Sequence, residues 1–228
     1  MIPVLVVPVL NGYDLLYRMF DSIDHPIEHI IVIDNGGHLS DELPVLPCTI
    51  VSLPHNLGVG ASWNLGMKLT PQAPWWLIAN HDLEWGPGDL ERIEAGVDRG
   101  FGGIYFSLGM AAFALTRYTL GNVGYFDENI HPAYDEDLDF ARRIDLLGLP
   151  RVELGFTGTH VGSATIYADP SLRAQNGPTH MANDLYYAKK WGGHKEGGET
   201  FSTPFNRGGH VGEWRLDPER LRTQAWRR

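Results

Sequence analysis

Short runs with an apolar residue at nearly every position alternate with helical patterns and stop on polar residues, which limits this chain to few architectures. Residues 4–9 (Val-Leu-Val-Val-Pro-Val) form the first run, and residues 13–23 follow with Leu16, Met19, Phe20 and Ile23 at helical spacing. Residues 29–33, 49–53 and 75–80 repeat the run, and residues 62–69 read as a helix. A strand that is apolar on both sides must be covered on both faces. The pattern therefore predicts an α/β fold with a mostly parallel central sheet flanked by helices. Ligands of such sheets collect beyond the carboxyl ends of the strands. Here those ends are residues 8–11, Asp34-Asn35, His55-Asn56 and Asn80-His81-Asp82, and each carries a polar side chain.

The second half is less regular. Residues 104–106, 110–115 and 152–156 are apolar and strand-like, and an acidic stretch at 135–139 opens a helix running to Leu147. From Ala168 onward Gly, His, Pro and aromatic residues dominate, and Asp217-Pro218 precedes an Arg-rich end (Arg220, Arg222, Arg227, Arg228) read as a short amphipathic helix. The expected organisation is one domain over residues 1–167, with a ligand-binding half at 1–105 and a second half at 106–167, followed by an extension at 168–228 that packs on or near the site.

Composition narrows the partners. Eighteen Lys and Arg against twenty-eight Asp and Glu give a formal charge of −10, so the average surface repels nucleic acid. Cys48 is the only cysteine, which excludes an intrachain disulfide and a cysteine-rich metal site and fits a reducing, cytoplasmic address. The apolar opening at residues 2–10 is too short to span a bilayer and carries prolines, so it reads as a buried strand, and membrane contact is expected to be peripheral if it occurs.

Four motifs carry chemistry, and each has a structural alternative. In residues 56–66 (Asn-Leu-Gly-Val-Gly-Ala-Ser-Trp-Asn-Leu-Gly) small residues let the backbone approach a ligand ahead of a helix whose first N–H groups favour anions; the alternative is a turn that only caps the helix. Trp63 stands where a dinucleotide fingerprint needs Gly or Ala, which excludes that motif. Asp82, after an apolar strand, suits a hard cation that also ligates phosphate, or else caps the next turn. Glu136 and Asp137 open a helix, where carboxylates also serve as dipole partners, and Asp139 is spaced to pair with Arg142 or Arg143. His160 ends a strand-like run, as a ligand or as a satisfied polar group.

Taken in order, residues 8–11, 32–37, 56–66, 80–82, 123–128, 136–140 and 160–163 resemble the family 2 glycosyltransferases, especially their small rhamnosyltransferase-like members. The resemblance covers residues 1 to about 165, and Tyr187-x-x-Lys190-Trp191-Gly192-Gly193 looks like the tails of some of these enzymes. It implies a GT-A, Rossmann-like fold and an inverting transfer from a nucleotide-diphosphate sugar to a hydroxyl acceptor (a glycan, glycolipid, protein side chain or modified nucleobase), assisted by a divalent metal, Mn²⁺ or Mg²⁺. Carried onto this chain, it implies that Pro8, Val9 and Asn11 line the nucleotide pocket, that Asp34 meets the base, and that Asn56, Gly58, Asn64, Asn80, His81 and Glu136 complete the nucleotide-sugar site. Asp82 stands where the metal-binding DxD motif ends, His160 where some members have a further metal ligand, and Asp137 where the catalytic base stands. The family often has a second carboxylate ahead of the metal aspartate; here that position is His81, which weakens the case for a strict metal requirement. The rivals are a non-catalytic nucleotide-sugar-binding module of the same fold and a sugar-phosphate nucleotidyltransferase. The latter normally carries Arg and Lys in a Gly-rich loop after the first strand, and residues 9–12 (Val-Leu-Asn-Gly) contain neither.

Overall fold

A computed structural model describes residues 1–39, 47–100, 102–195 and 197–206. The Arg-rich end lies outside them. The first unit, Met1–Met181, opens with β1 (Ile2–Val9), α1 (Tyr13–Asp21), β2 (Ile27–Asp34), β3 (Cys48–Ser52), α2 (Val59–Leu69) and β4 (Trp75–Ala79). It continues through β5 (Leu83–Glu84), α3 (Asp89–Arg99), β6 (Ile104–Leu108), β7 (Ala112–Thr116), α4 (Arg117–Val123) and α5 (Glu136–Leu146). The last elements are β8 (Arg151–Glu153), β9 (Thr159–His160), α6 (Ala164–Ala168) and α7 (Pro170–Trp191). The described strands form a sheet of order β3-β2-β1-β4-β7-β6-β8, in which only β7 runs against its neighbours, and a two-stranded ladder of β5 with β9.

The doubly apolar strands are explained by what covers them. Successive side chains of a strand point to opposite faces. Leu5, Val7 and Val9 of β1 pack with Leu16, Met19 and Phe20 of α1 and with Leu90, Ile93 and Val97 of α3. Val4 and Val6 face the other way, into a cluster with Trp63 and Met67 of α2, Leu120 and Val123 of α4, and Phe140 and Ile144 of α5. Among the described residues no helix is long and apolar enough to cross a membrane.

Two features position the site. The β1–β2 ladder runs the full length to Val9 opposite Asp34, whereas the β1–β4 ladder stops at Leu5–Leu77 and Val6–Ile78. Beyond that point the ends of β1 and β4 part. The chain runs outward from β1 to β2 and β3 and then returns to β4 on the other side of β1, so this gap lies at the sheet's topological switch point. The second feature is α7, which sequence patterning does not suggest. Its Gly177-Pro178 pair breaks the expected periodicity, yet the helix continues past it: Pro178 leaves the Ala174 carbonyl without its N–H partner, and one residue on the Thr179 hydroxyl donates to the Gln175 carbonyl at 3.0 Å. The compact units divide at 181/182, inside α7. In the second unit, Ala182–Arg228, Tyr187 donates to Glu199 at 2.7 Å and the Thr200 and Phe201 N–H groups return to the Trp191 carbonyl at 3.1 and 2.9 Å, closing the chain around Gly192.

α2 lies so close to β1 that a Cβ on Gly66 would stand 2.3 Å from Val6 Cγ1. Helix propensity alone makes Gly→Ala favourable by about 1 kcal/mol, but overpacking a β-branched neighbour costs about 1–3 kcal/mol. Gly66→Ala should therefore lower unfolding stability in urea by up to about 2 kcal/mol, and a gain would show that α2 and β1 do not pack this closely.

Candidate active site

The gap between β1 and β4 opens into a cavity of about 400 Å³. Its floor is built from the strand ends: Pro8 and Val9 at the end of β1 with Leu10 just beyond, Asn35 after β2, and Asn80, His81 and Asp82 after β4. Asn56, Gly58 and Val59 form one wall, Glu136 and Asp137 at the head of α5 a second, and Thr165, Gln175, Asn176 and Thr179 a third. Four of the expected site residues lie off this lining: Asn11, Asp34, Asn64 and His160.

Each of the four has a definite place. Asn11 donates to the Thr165 carbonyl at 3.0 Å and so ties the β1–α1 turn to α6. Asp34 is fully buried; it accepts the Gly36 and Gly37 N–H groups at 3.1 and 3.0 Å, the Leu39 N–H at 2.8 Å and the Tyr13 hydroxyl at 2.9 Å. Burial, then this contact with Asp34, pushes Tyr13 up to about 12, so the phenol stays a donor. In this structure the carboxylate of Asp34 shapes its own loop, and the neighbouring Asn35 reaches the cavity. Asn64 is also fully buried: it accepts the Phe126 N–H at 2.9 Å and donates to the Phe126 carbonyl and to Glu128, each at 2.9 Å. It faces the protein, not the cavity, because a buried amide needs partners on both of its ends.

The glycines expected to lie against a ligand lie against the protein itself. Gly58 has φ +82°, and a Cβ there would meet the Pro132 carbonyl at 2.7 Å, while the Val59 N–H donates to that carbonyl at 2.7 Å. The Leu57 N–H goes to Asn35 at 2.9 Å and the Gly58 N–H to Asn56 at 2.8 Å. These three donors, which lead into the first turn of α2, are thus used inside the fold.

Asp82 and His160 are brought together by the β5–β9 ladder, which pairs Leu83 with His160, and by the Val161 N–H donating to the Asp82 carbonyl at 3.0 Å. Asp82 Oδ1 lies 3.2 Å from His160 Nε2, and Oδ2 accepts the Ala164 N–H at 3.3 Å. His81 is buried; burial holds it below its usual value despite the charges of Asp82 and Asp14, and its Nε2 has no hydrogen-bond partner. Among the described residues no cluster of three or more His, Cys, Asp or Glu is arranged around one point; Asp82 and His160 form a carboxylate–imidazole pair. That suits a hard cation that keeps waters and takes phosphate oxygens. The described lining contains Asp82, Glu136 and Asp137 but no Lys or Arg, so the protein wall supplies no fixed cation for a diphosphate.

On the opposite wall Asp139 pairs with Arg143, at 3.0 Å to Nε, and fixes α5. Asp137 accepts the Leu138 N–H at 2.8 Å. Glu136 is buried, with Oε2 unpartnered; burial first, then the charges of Asp137 and Asp135, pushes it up to about 8. The residues that sequence reasoning missed are Tyr134 and the α7 trio Gln175, Asn176 and Thr179. Their spacing, one turn apart on a single face, is a helical signal masked by Pro178.

A parallel-rich sheet with a cavity at its switch point and carboxylates on two walls belongs to the open α/β class, whose ligands bind at that point. Residues 4–140 match glycosyl transferase family 2, and the chain belongs to that family. A galactofuranosyl glycosyltransferase of Leishmania donovani is 26% identical over 230 residues, covering 64% of this chain and 53% of its own length. Among solved structures, a mannosyltransferase of Pyrobaculum calidifontis in complex with GDP-Man and Mn²⁺ has a TM-score of 0.58 at 17% identity, covering 80% of this chain and 63% of its own. Glucosyl-3-phosphoglycerate synthase of Mycobacterium tuberculosis, with Mn²⁺, UDP-Glc and phosphoglyceric acid, has a TM-score of 0.55 at 16% identity, covering 80% and 79%. These likenesses show the GT-A fold. The chain spans about half the length of the curated relative and under two thirds of the mannosyltransferase.

Glu136 gives a pH signature. A carboxyl whose pKa is raised in the folded state makes that state bind more protons than the unfolded one, so stability falls as pH rises from about 4.5 through about 8. Glu136→Gln removes this dependence. Its melting temperature should equal that of the parent near pH 4.5 and exceed it by a growing margin up to pH 8; a constant difference would place an ionised carboxylate at this position.

Proposed function

We propose that this chain is an inverting glycosyltransferase that moves a sugar from a nucleotide-diphosphate donor to a hydroxyl acceptor, with Asp137 as the base and a divalent cation at Asp82 and His160. The observation that carries the reading is one cavity, at the switch point, flanked by a carboxylate–histidine pair on one wall and the Glu136-Asp137 pair on another. Pro8, Val9, Asn56, Gly58 and Asn80 bound the donor side, and Asn11 and Asp34 hold the loops around it. A divalent cation, when bound, supplies positive charge to the departing diphosphate, which the described walls do not.

The chain's own residues do the rest. Asp137 takes the proton of the acceptor hydroxyl as its oxygen attacks the anomeric carbon; the bond from that carbon to the diphosphate oxygen breaks, and the electron pair leaves with the nucleotide. Glu136, neutral at pH 7, can donate a hydrogen bond without adding charge next to the base. Asn64 and Arg143 set the geometry from behind, through the Phe126 backbone and Asp139. The mannosyltransferase and synthase structures hold Mn²⁺ with their nucleotide sugars, which supports a cation here. The address we propose is cytoplasmic, in keeping with a half-buried free Cys48 whose thiol burial pushes up to about 11.

Asp137→Asn should keep the melting temperature and donor affinity and lower turnover by at least about 10²-fold, and the product of the parent enzyme should have inverted anomeric configuration by NMR. Retained configuration excludes direct displacement. Asp82→Ala should abolish, and His160→Ala reduce, Mn²⁺-stimulated binding of GDP-mannose or UDP-glucose in calorimetry. Full turnover in the presence of a chelator would remove the cation from the mechanism.

A further inference from the structure

The wall formed by α7 has a chemistry that the donor does not need. Thr179 lies one position from His180, whose ring sits 4.9 Å from that of Tyr134 and whose Nε2 is 3.9 Å from Asp135, so this point of α7 stands beside the head of α5 and its Asp137. From there one face of α7 runs outward through Asn176 and Gln175 to Leu172, a span of about 10 Å at 1.5 Å per residue. Among the described residues neither the Gln175 nor the Asn176 carboxamide is engaged by the protein; only their main-chain carbonyls are used, by the Thr179 hydroxyl at 3.0 and 3.1 Å. A carboxamide both donates and accepts, as a sugar hydroxyl does, so two of them one residue apart match a pair of neighbouring ring hydroxyls. Leu172 and Ile166 supply apolar surface for the C–H edges of a ring.

Charge excludes the alternatives. A phosphate on the acceptor would lie in a cavity whose described ionisable residues are Asp82, Glu136, Asp137 and a buried His81, with no Lys or Arg among them. The nearest histidine of α7, His180, is directed at Asp135. The chain's formal charge of −10 opposes a nucleic-acid acceptor over longer range as well.

We propose that the acceptor is an uncharged sugar unit seated along α7, with Gln175 and Asn176 binding its hydroxyls and presenting one of them to Asp137. This rests on the glycosyl-transfer reading above, and the test separates the two. Donor hydrolysis without acceptor is measured first, with GDP-mannose and UDP-glucose in Mn²⁺. Acceptors follow: methyl glycosides of mannose, glucose, galactose, galactofuranose, rhamnose and N-acetylglucosamine, each beside its phosphorylated counterpart, with 3-phosphoglycerate and a Ser/Thr peptide as further arms. At least one neutral glycoside should accelerate turnover, with kcat/KM at least tenfold above that of its phosphate. The Gln175→Ala/Asn176→Ala double variant should raise the acceptor KM at least tenfold with a smaller change in kcat, and Gln175→Lys should narrow the preference against phosphorylated acceptors. Donor hydrolysis with preference for a phosphorylated acceptor or the peptide, or an acceptor KM unmoved in the double variant, overturns the acceptor assignment while leaving glycosyl transfer standing. Absence of any donor turnover overturns both.

Discussion

The site exists because β1 cannot stay paired to β4. The ladder between them ends at Val6–Ile78, while β1 remains bonded to β2 for three more residues, to Val9–Asp34. Backbone groups past that split must find other partners. Asn80 does so by donating to the Ala111 carbonyl at 2.8 Å, toward the β7 side. The floor of the cavity is therefore pulled in two directions by the sheet itself, which is why polar strand ends gather there without closing over one another.

One helix then fixes the walls around the split. α2 is pressed onto β1 at Gly66, clasps both backbone groups of Phe126 through Asn64, and meets Pro132 at Gly58. Phe126 in turn stacks on Phe140 of α5 at 4.3 Å between ring centroids. The segment that leads into Glu136 and Asp137 is thus held at three heights by a helix that contributes only Val59 and Trp63 to the cavity. Asn64, which the family resemblance places at the ligand, supports the neighbouring segment through its buried amide. This is the usual division of labour when a reacting group must be placed to a fraction of an ångström.

The fold was largely legible because hydrophobic periodicity reports burial on two faces, and burial on two faces leaves little but a covered parallel sheet. Strand ends were legible for the same reason, and they lead directly to Pro8, Asn80 and Asp82. Contacts between distant segments were not. Nothing in the spacing of Asp82 and His160, 78 positions apart, announces the short β5–β9 ladder that joins them. α3 follows the Gly86-Pro87-Gly88 turn, and its head is fixed by a contact that spacing does not announce: Asp89 is fully buried and accepts from Gly86, Thr157 and Gly158. α7 escaped because Pro178 breaks its pattern, and with it went the wall that faces Asp137. The family resemblance carries Asn64 to the nucleotide-sugar site, and spacing cannot distinguish that from its contacts with Phe126 and Glu128, 62 and 64 positions away.

His81 shows how charge balance shapes such a site. The cavity already holds three carboxylic acids and no fixed cation among its described lining residues, and burial keeps one of them, Glu136, protonated up to about 8. A fourth acid at position 81 would be buried beside Asp82 and would favour folding only when a cation was present. A neutral imidazole avoids that dependence. It stands over the β1–α1 turn, where Gly12 has φ +68° and a Cβ would come within 3.3 Å of His81 Nε2, so the histidine occupies the space that a side chain on the turn would need. The departure from the family's second carboxylate is thus a packing solution that keeps the split between β1 and β4 filled, and it leaves Asp82 as the single negative charge on that wall of the cavity.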